Sequence, residues 1–299
     1  MPELPEVETT VRLLRQKIIG RKIREIWSDW PKTIKNSSVR ELNKNLKGKS
    51  FSKIARRGKN ILIEIDQQKT LWIHLKMTGH LLVRPTSFFG KKIEQFSQKE
   101  QKSPFADKIN QYVHFRIVLD QNEELALSDV RKFAKIVLFD EPISKELLQK
   151  HFADLGIEPL SKEFTLDYFK KIIQGPKNQN KELKIFLLDQ NIISGIGNIY
   201  ASEIPFEAGL SPKRKIKSLK SQEIQKLYTS ILTILKLAVK ERGTSVSDFR
   251  DPDGKKGNFG NFRKVYQKKK ELCPRCEKGV VESFKQAQRS TFWCSKCQV

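Results

Sequence analysis

At 299 residues the chain is long enough for two domains with separate cores, and 58 Lys and Arg against 34 Asp and Glu leave a formal net charge of +24 and a pI near 9.8. That balance does not suit an enzyme of ordinary small metabolites and points to a polyanion whose phosphates the cations neutralise. With no 18-residue apolar run, signal-peptide core or Arg/Ser-rich leader, and with all four cysteines in two CxxC pairs near the C-terminus, the expectation is a soluble cytoplasmic, nucleoid-associated protein that uses its thiols for metal and not for disulfides.

The chain opens Met1-Pro2-Glu3-Leu4-Pro5-Glu6-Val7-Glu8. Loss of the initiator methionine before so small a residue is expected to free the nitrogen of Pro2. An α-amino group titrates near ~8 against ~10.4 for lysine, so a useful fraction is uncharged at neutral pH. A secondary amine condenses with an aldehyde-level carbon to an iminium, which acidifies the neighbouring carbon and drives elimination. Glu3 adjoins that nitrogen and can move protons. The same residues also read as an ordinary helix start, since proline and acids suit the first turn. Val7, Val11, Leu14 and Ile18 then recur at helical spacing, and Gly20 ends the run.

From Ile23 to Phe139 the pattern changes to short alternating runs, including Ile61–Ile65, Leu71–Leu75, Val113–Val118 and Lys135–Phe139, which predict a mainly antiparallel sandwich or barrel. Residues 86 to 110 read as a long mobile loop. Pro142, Gly156 and Pro159 mark a linker. Helices are predicted over 165–174, 181–190, 198–209 and 221–241, the last amphipathic through Ile224, Leu227, Ile231, Leu235 and Leu237. A Gly/Asp/Asn-rich loop follows over 243–262. Between Lys255 and Lys270 stand seven basic residues and no acid, which suits a phosphate-facing strip.

Cys273-Pro-Arg-Cys276 and Cys294-Ser-Lys-Cys297 fit one structural, four-thiolate Zn2+ site with a β-hairpin between the pairs. Four thiolates close the coordination sphere, so the metal would hold Gln286, Gln288 and Arg289 at a polar tip and not act as a catalyst; no organic cofactor is expected. Gly195 and Gly197, between helical runs and before Asn198, suggest backbone N–H groups offered to a phosphate. Lys59 follows Gly58, which lets the backbone turn. Met77 lies where a strand ends, and Arg131 and Phe133 share a face if extended. Core packing is the usual role of Met and Phe; beside DNA they can fill a gap in the base stack.

Taken together, MPELPEVET, RRGKNIL, HLKMTG, DVRKF, LLDQNIISGIGNIYASE and the terminal QAQRSTFWC resemble the formamidopyrimidine-DNA glycosylase (Fpg/MutM) family over the whole chain. The resemblance implies an α+β multidomain fold: an N-terminal β-sandwich with an N-terminal helix over 1–145, a linker over 146–162, a helix-two-turn-helix domain over 163–262 and a β-hairpin zinc finger over 263–299. Within the third segment a lesion-capping loop is placed in Thr244–Phe262. It implies a monomer that takes double-stranded damaged DNA between its domains and engages no membrane. Pro2 would attack C1′ of the damaged nucleotide, displacing the base, with Glu3 as proton donor and acceptor and Glu6 orienting the opened sugar. Lys59 would assist β-elimination, and Arg289 would bind phosphate and support δ-elimination. His74 and Asn198 align with phosphate ligands, and Met77, Arg131 and Phe133 with the residues that fill the void of the flipped base.

The chain departs from the family pattern at Val130, at Lys132, at Asn110, which stands near a usual histidine and is expected to bind DNA in its place, and in a zinc finger longer by one residue. The expected activity is that of a bifunctional glycosylase and AP lyase of base excision repair for 8-oxoguanine and formamidopyrimidines. An endonuclease VIII-like enzyme for oxidised pyrimidines and a non-catalytic zinc-ribbon nucleic-acid-binding protein are the alternatives. The start PELPEV, in place of PEGPE, favours the first, and the ribbon protein has no use for an intact Pro2-Glu3 terminus.

Overall fold

The computed structural model describes residues 1–245 and 248–299, in two compact units: Met1–Ala153 with Glu241–Gly260, and Asp154–Lys240 with Asn261–Val299. Val246 and Ser247, inside the expected lesion-capping loop, lie outside the described residues.

In the first unit the opening helix α1 (Leu4–Ile18) buries Val7, Val11, Leu14 and Ile18 against two four-stranded antiparallel sheets. One sheet runs β1 (Ile23–Ser28), β6 (Val113–Leu119), β7 (Glu123–Ser128), β5 (His80–Pro85). The other runs β2 (Phe51–Arg57), β3 (Asn60–Ile65), β4 (Lys69–His74), β8 (Lys135–Phe139). Alternation explains β6, whose Val113, Phe115, Ile117 and Leu119 are buried while the residues between them are less so. In β3 every residue is buried, which is why it reads as a nearly continuous apolar run.

A second helix, α2 (Val39–Leu46), interrupts the strands; Ser38 and Glu41 close a capping box, and Leu42 and Leu46 are fully buried. The stretch expected as a mobile loop is corrected. Residues 86–111 form a chain of short turns around α3 (Gln98–Gln101), gathered on a cluster in which the Phe88 ring lies 5.2 Å from Phe96 and 5.7 Å from Phe105. Phenylalanines at irregular spacing leave no period to read, yet they bury as well as a strand does. The linker region likewise contains α4 (Lys145–Phe152), with His151 stacked on Phe139 and Phe152 edge-on to Trp72. Glu241–Gly260, expected with the helical domain, packs in the first unit, because Val83 of β5 donates its N–H to the Pro252 carbonyl and Glu6 holds Thr244.

The second unit contains α5 (Leu166–Gln174), α6 (Leu183–Leu188), α7 (Tyr200–Ala208) and α8 (Ser221–Lys240), within a residue or two of the predicted bounds. Ile224, Leu227, Ile231 and Leu235 of α8 are buried, and the helix packs on α7 and α5. A hairpin of β9 (Val281–Gln286) and β10 (Arg289–Cys294) follows. No helix among the described residues is long and apolar enough to cross a membrane.

Candidate active site, nucleic-acid interface and metal centre

At the start of α1 the acids are part of the fold. Glu3 donates its backbone N–H to Glu6 Oε2 at 2.7 Å, and Thr244 donates its own to Glu6 Oε1 at 2.6 Å. Glu6 is 1% exposed and Glu3 3%, while Pro2 is buried beside them. Gly243, at φ +77°, lies so close that a Cβ there would stand 2.8 Å from the Glu6 side chain, so only glycine fits this crossing. The terminal amine, here that of Met1, has its pKa lowered by burial; the carboxylates of Glu3, Glu6 and Asp248 oppose this and Lys59 adds to it. Those four groups therefore lie within electrostatic reach of the amine.

Lys59 arrives there by turn geometry. Arg57 pairs with Asn60, so Gly58 and Lys59 form the two-residue turn between β2 and β3, with Gly58 at φ +58°. Arg56, in sequence one of an undifferentiated basic cluster, donates Nε to Glu8 Oε2 and Nη1 to the Gly58 carbonyl, and so ties this turn to α1. Lys59 is only 8% exposed.

His74 ends β4, paired with Asn60 on one side and Lys135 on the other. Its Nδ1 accepts the Lys76 N–H at 2.9 Å, and burial together with Lys76, Lys59 and Lys135 pushes its pKa down to about 4. The ring is thus a neutral N–H donor through Nε2 and brings no charge to a phosphate.

Met77 and Phe133 are 43% and 49% exposed, too open for core residues. Arg131 lies over the Phe133 ring, 4.6 Å from its centroid. Their two loops are tied together: the Thr78 hydroxyl bonds Asp129 and also accepts the Arg131 N–H, while Asp129 Oδ2 accepts the Ala134 N–H at 2.8 Å. Thr78 and Asp129 are the residues that sequence reasoning missed here. Asn110 requires a correction, because it is fully buried, with its carbonyl oxygen facing His80 Nε2 at 2.9 Å and its amide donating to the Pro104 carbonyl at 2.8 Å. Such a side chain is not offered to a phosphate.

In the second unit Gln190 organises the turn between α6 and α7. It accepts the Gly195 N–H and donates to the carbonyls of Leu188 and Ile196. Asn198 donates to the Ser290 carbonyl at 3.1 Å, and its Oδ1 is buried without a partner among the described residues. Two further buried groups were missed. Lys184 donates to the Ser290 carbonyl and to Thr291 Oγ1, both at 2.9 Å. Glu203, whose carboxyl pKa burial pushes up, accepts the N–H groups of Lys264, Val265 and Tyr266. Lys184 holds β10 next to the hairpin tip and Glu203 holds the segment that leads to the cysteines, and a lone Lys or Glu on a helix gives no signal of that. At the tip, Ala287 and Gln288 take φ +46° and +61°, the type I′ signature, and leave Arg289 exposed.

The sulfurs of Cys273, Cys276, Cys294 and Cys297 lie within 4.8 Å of one another, with Cys273–Cys297 at 3.7 Å and Cys276–Cys294 at 3.8 Å. A tetrahedron with metal–sulfur bonds of about 2.3 Å has edges of about 3.8 Å, so the four thiolates fit a single metal ion.

The first unit carries a buried amine among carboxylates and a lysine and, on other loops, the exposed Met77 and Phe133, and the second carries a basic hairpin on a four-cysteine cluster; the class that these features fit is a DNA glycosylase. The comparisons with known proteins give the family. Residues 1–136 match the formamidopyrimidine-DNA glycosylase N-terminal domain and residues 155–250 its H2TH domain. The chain is 40% identical over 299 residues to the formamidopyrimidine-DNA glycosylase of Carboxydothermus hydrogenoformans, covering all of both chains. It is 34% identical to that of Pelotomaculum thermopropionicum, covering 100% of this chain and 99% of the other. Among solved structures it resembles Lactococcus lactis Fpg in complex with abasic-site DNA, with a TM-score of 0.81, 30% identity and 99% of each chain covered. It also resembles MutM bound to DNA containing carbocyclic 8-oxo-G, with a TM-score of 0.80 at 30% identity over 99% of each chain. The chain belongs to the formamidopyrimidine-DNA glycosylase family.

Proposed function

We propose that the protein removes oxidised purines, 8-oxoguanine and formamidopyrimidines, from double-stranded DNA and cleaves the strand by β,δ-elimination through a Schiff base on Pro2. The observation that carries this is the buried amine held among Glu3, Glu6 and Lys59. Removal of Met1 gives the free amine to Pro2. Its nitrogen attacks C1′ as the C1′–base bond breaks, and the departing base takes a proton relayed by Glu3. The sugar then opens as the C1′–O4′ bond breaks and O4′ takes a proton, and the resulting iminium acidifies C2′. Loss of a C2′ proton expels the 3′ phosphate, and a second elimination expels the 5′ phosphate.

Within this reading Glu6 acts by holding Glu3 and Thr244, since both of its oxygens accept backbone N–H groups. Lys59 supplies charge beside the reacting sugar. Met77, Arg131 and Phe133 occupy the space left by the extruded base, which offsets unstacking of a few kcal/mol. Arg289, His74 and Asn198 bind phosphates. A zinc ion in the four-cysteine site would hold the hairpin in shape through closed thiolate coordination; the chain acts as a monomer in the bacterial cytoplasm.

The test compares excision of 8-oxoguanine opposite cytosine with excision of thymine glycol opposite adenine. Preference for 8-oxoguanine is expected. Preference for thymine glycol would move the assignment to an endonuclease VIII-like activity.

A further inference from the structure

The excursion between β5 and β6 has no part in the reading above, yet its far end is built into the segment that borders the amine. Asp248 lies within electrostatic reach of the terminal amine. Two residues on, Arg250 is 3% exposed and gives both Nε and Nη2 to Asp107 Oδ2, at 2.9 and 2.7 Å. A planar guanidinium gripping one carboxylate fixes direction as well as distance. Asn110 donates to the Gly254 carbonyl at 3.4 Å, and a Cβ on Gly254 would stand 2.9 Å from Phe105 and 3.1 Å from Asn110 Nδ2, so the two segments are in close contact.

The excursion is itself anchored. Arg84, 1% exposed, donates Nη1 to the Asn110 carbonyl and Nε to the fully buried Glu124, and His80 donates to the Asn110 side chain. From the opposite side Val83 of β5 donates to the Pro252 carbonyl. Residues 249–254 are thus clamped between a strand edge and the excursion; Lys17 of α1 and Arg242 also pair with Asp253, whereas the excursion holds Arg250.

We infer that residues 104–111 are a brace that sets the position of the base-capping segment, with Asp107 as a positioning residue for base recognition that touches neither the sugar nor the amine. The inference rests on the proposed glycosylase reading, in which that segment covers the extruded base. The brace then governs recognition of the base and leaves the amine chemistry alone, because Glu3, Glu6 and Lys59 are held by α1 and the β2–β3 turn.

The experiment uses the full chain and two substrates: a duplex with 8-oxoguanine opposite cytosine, and the same duplex with a preformed abasic site. Displacement of a recognition element by about 1 Å costs up to roughly a hundredfold in rate, so Asp107→Ala should slow base excision by about ten- to a hundredfold. Strand cleavage and borohydride trapping at the abasic site should stay at the wild-type level, and Asp107→Glu should recover most of the excision. If Asp107→Ala does not fold, Asp107→Asn, which keeps the shape and loses the charge, carries the same split. Excision unchanged in the variant, or both activities falling in proportion, overturns the brace. A wild type that traps on neither substrate overturns the glycosylase reading itself, and the brace with it.

Discussion

Thr244 donates its backbone N–H to Glu6 Oε1 at 2.6 Å across 238 positions of sequence, so the helix that carries the terminal amine also holds the start of the segment after α8. Because the other oxygen of Glu6 accepts from Glu3, one buried carboxylate aligns both Glu3 and that segment. Glu6→Gln turns one of these acceptors into a donor facing a donor. Leaving such a pair unsatisfied in a buried site costs about 1–3 kcal/mol, and urea unfolding should show a loss of that size.

His80 gives the protein an acid-sensitive core. It is fully buried, and burial pushes its pKa down to about 4 against the ordinary 6.5. The unfolded chain takes up this proton first, so the contribution is complete above pH 6.5 and is lost as pH falls through 4. That lowering of the pKa corresponds to about 3 kcal/mol. Denaturation curves between pH 7 and 4 should show that slope, and His80→Gln should remove its share, leaving the one due to His74.

Salt dependence separates two of the three proposed phosphate ligands. Arg289 is exposed and always charged, whereas His74 is neutral at pH 7 with its pKa near 4. Arg289→Ala should lower the slope of log K against log salt by about 0.9, one phosphate's share, while His74→Ala should weaken binding with the slope unchanged. Binding of a lesion duplex measured across a salt series checks both.

Replacing one thiolate opens the metal site. Cys294→Ser should lose the zinc proposed for the four-cysteine site, measurable by elemental analysis, and weaken DNA binding through the disordered hairpin, since site formation and folding of the hairpin are linked. Full zinc content in the variant would show that Cys294 is not a ligand.

Much of this was legible because the chemistry is local. Pro2 and Glu3 are adjacent, Lys59 follows the glycine that turns it, and the cysteines sit at metal spacing. Strands such as Ile61–Ile65 carry their burial in their apolar runs. What escaped notice depends on partners far apart in sequence. Asp107 gains meaning only from Arg250, Glu203 from the backbone of residues 264–266, and Asn110 from His80. The excursion over 86–111 was unreadable for the same reason: its rings bury against one another without any period.

The central claim is the identity of the nucleophile, and peptide mapping after borohydride trapping tests it most directly. The protein is reacted with a duplex carrying 8-oxoguanine opposite cytosine, reduced, digested with trypsin and nuclease, and the modified peptide sequenced by mass spectrometry. The adduct should sit on the nitrogen of Pro2 in the peptide that ends at Arg12, with Met1 absent. An adduct on Lys59 or any other lysine, with the Pro2 peptide unmodified, would contradict the account.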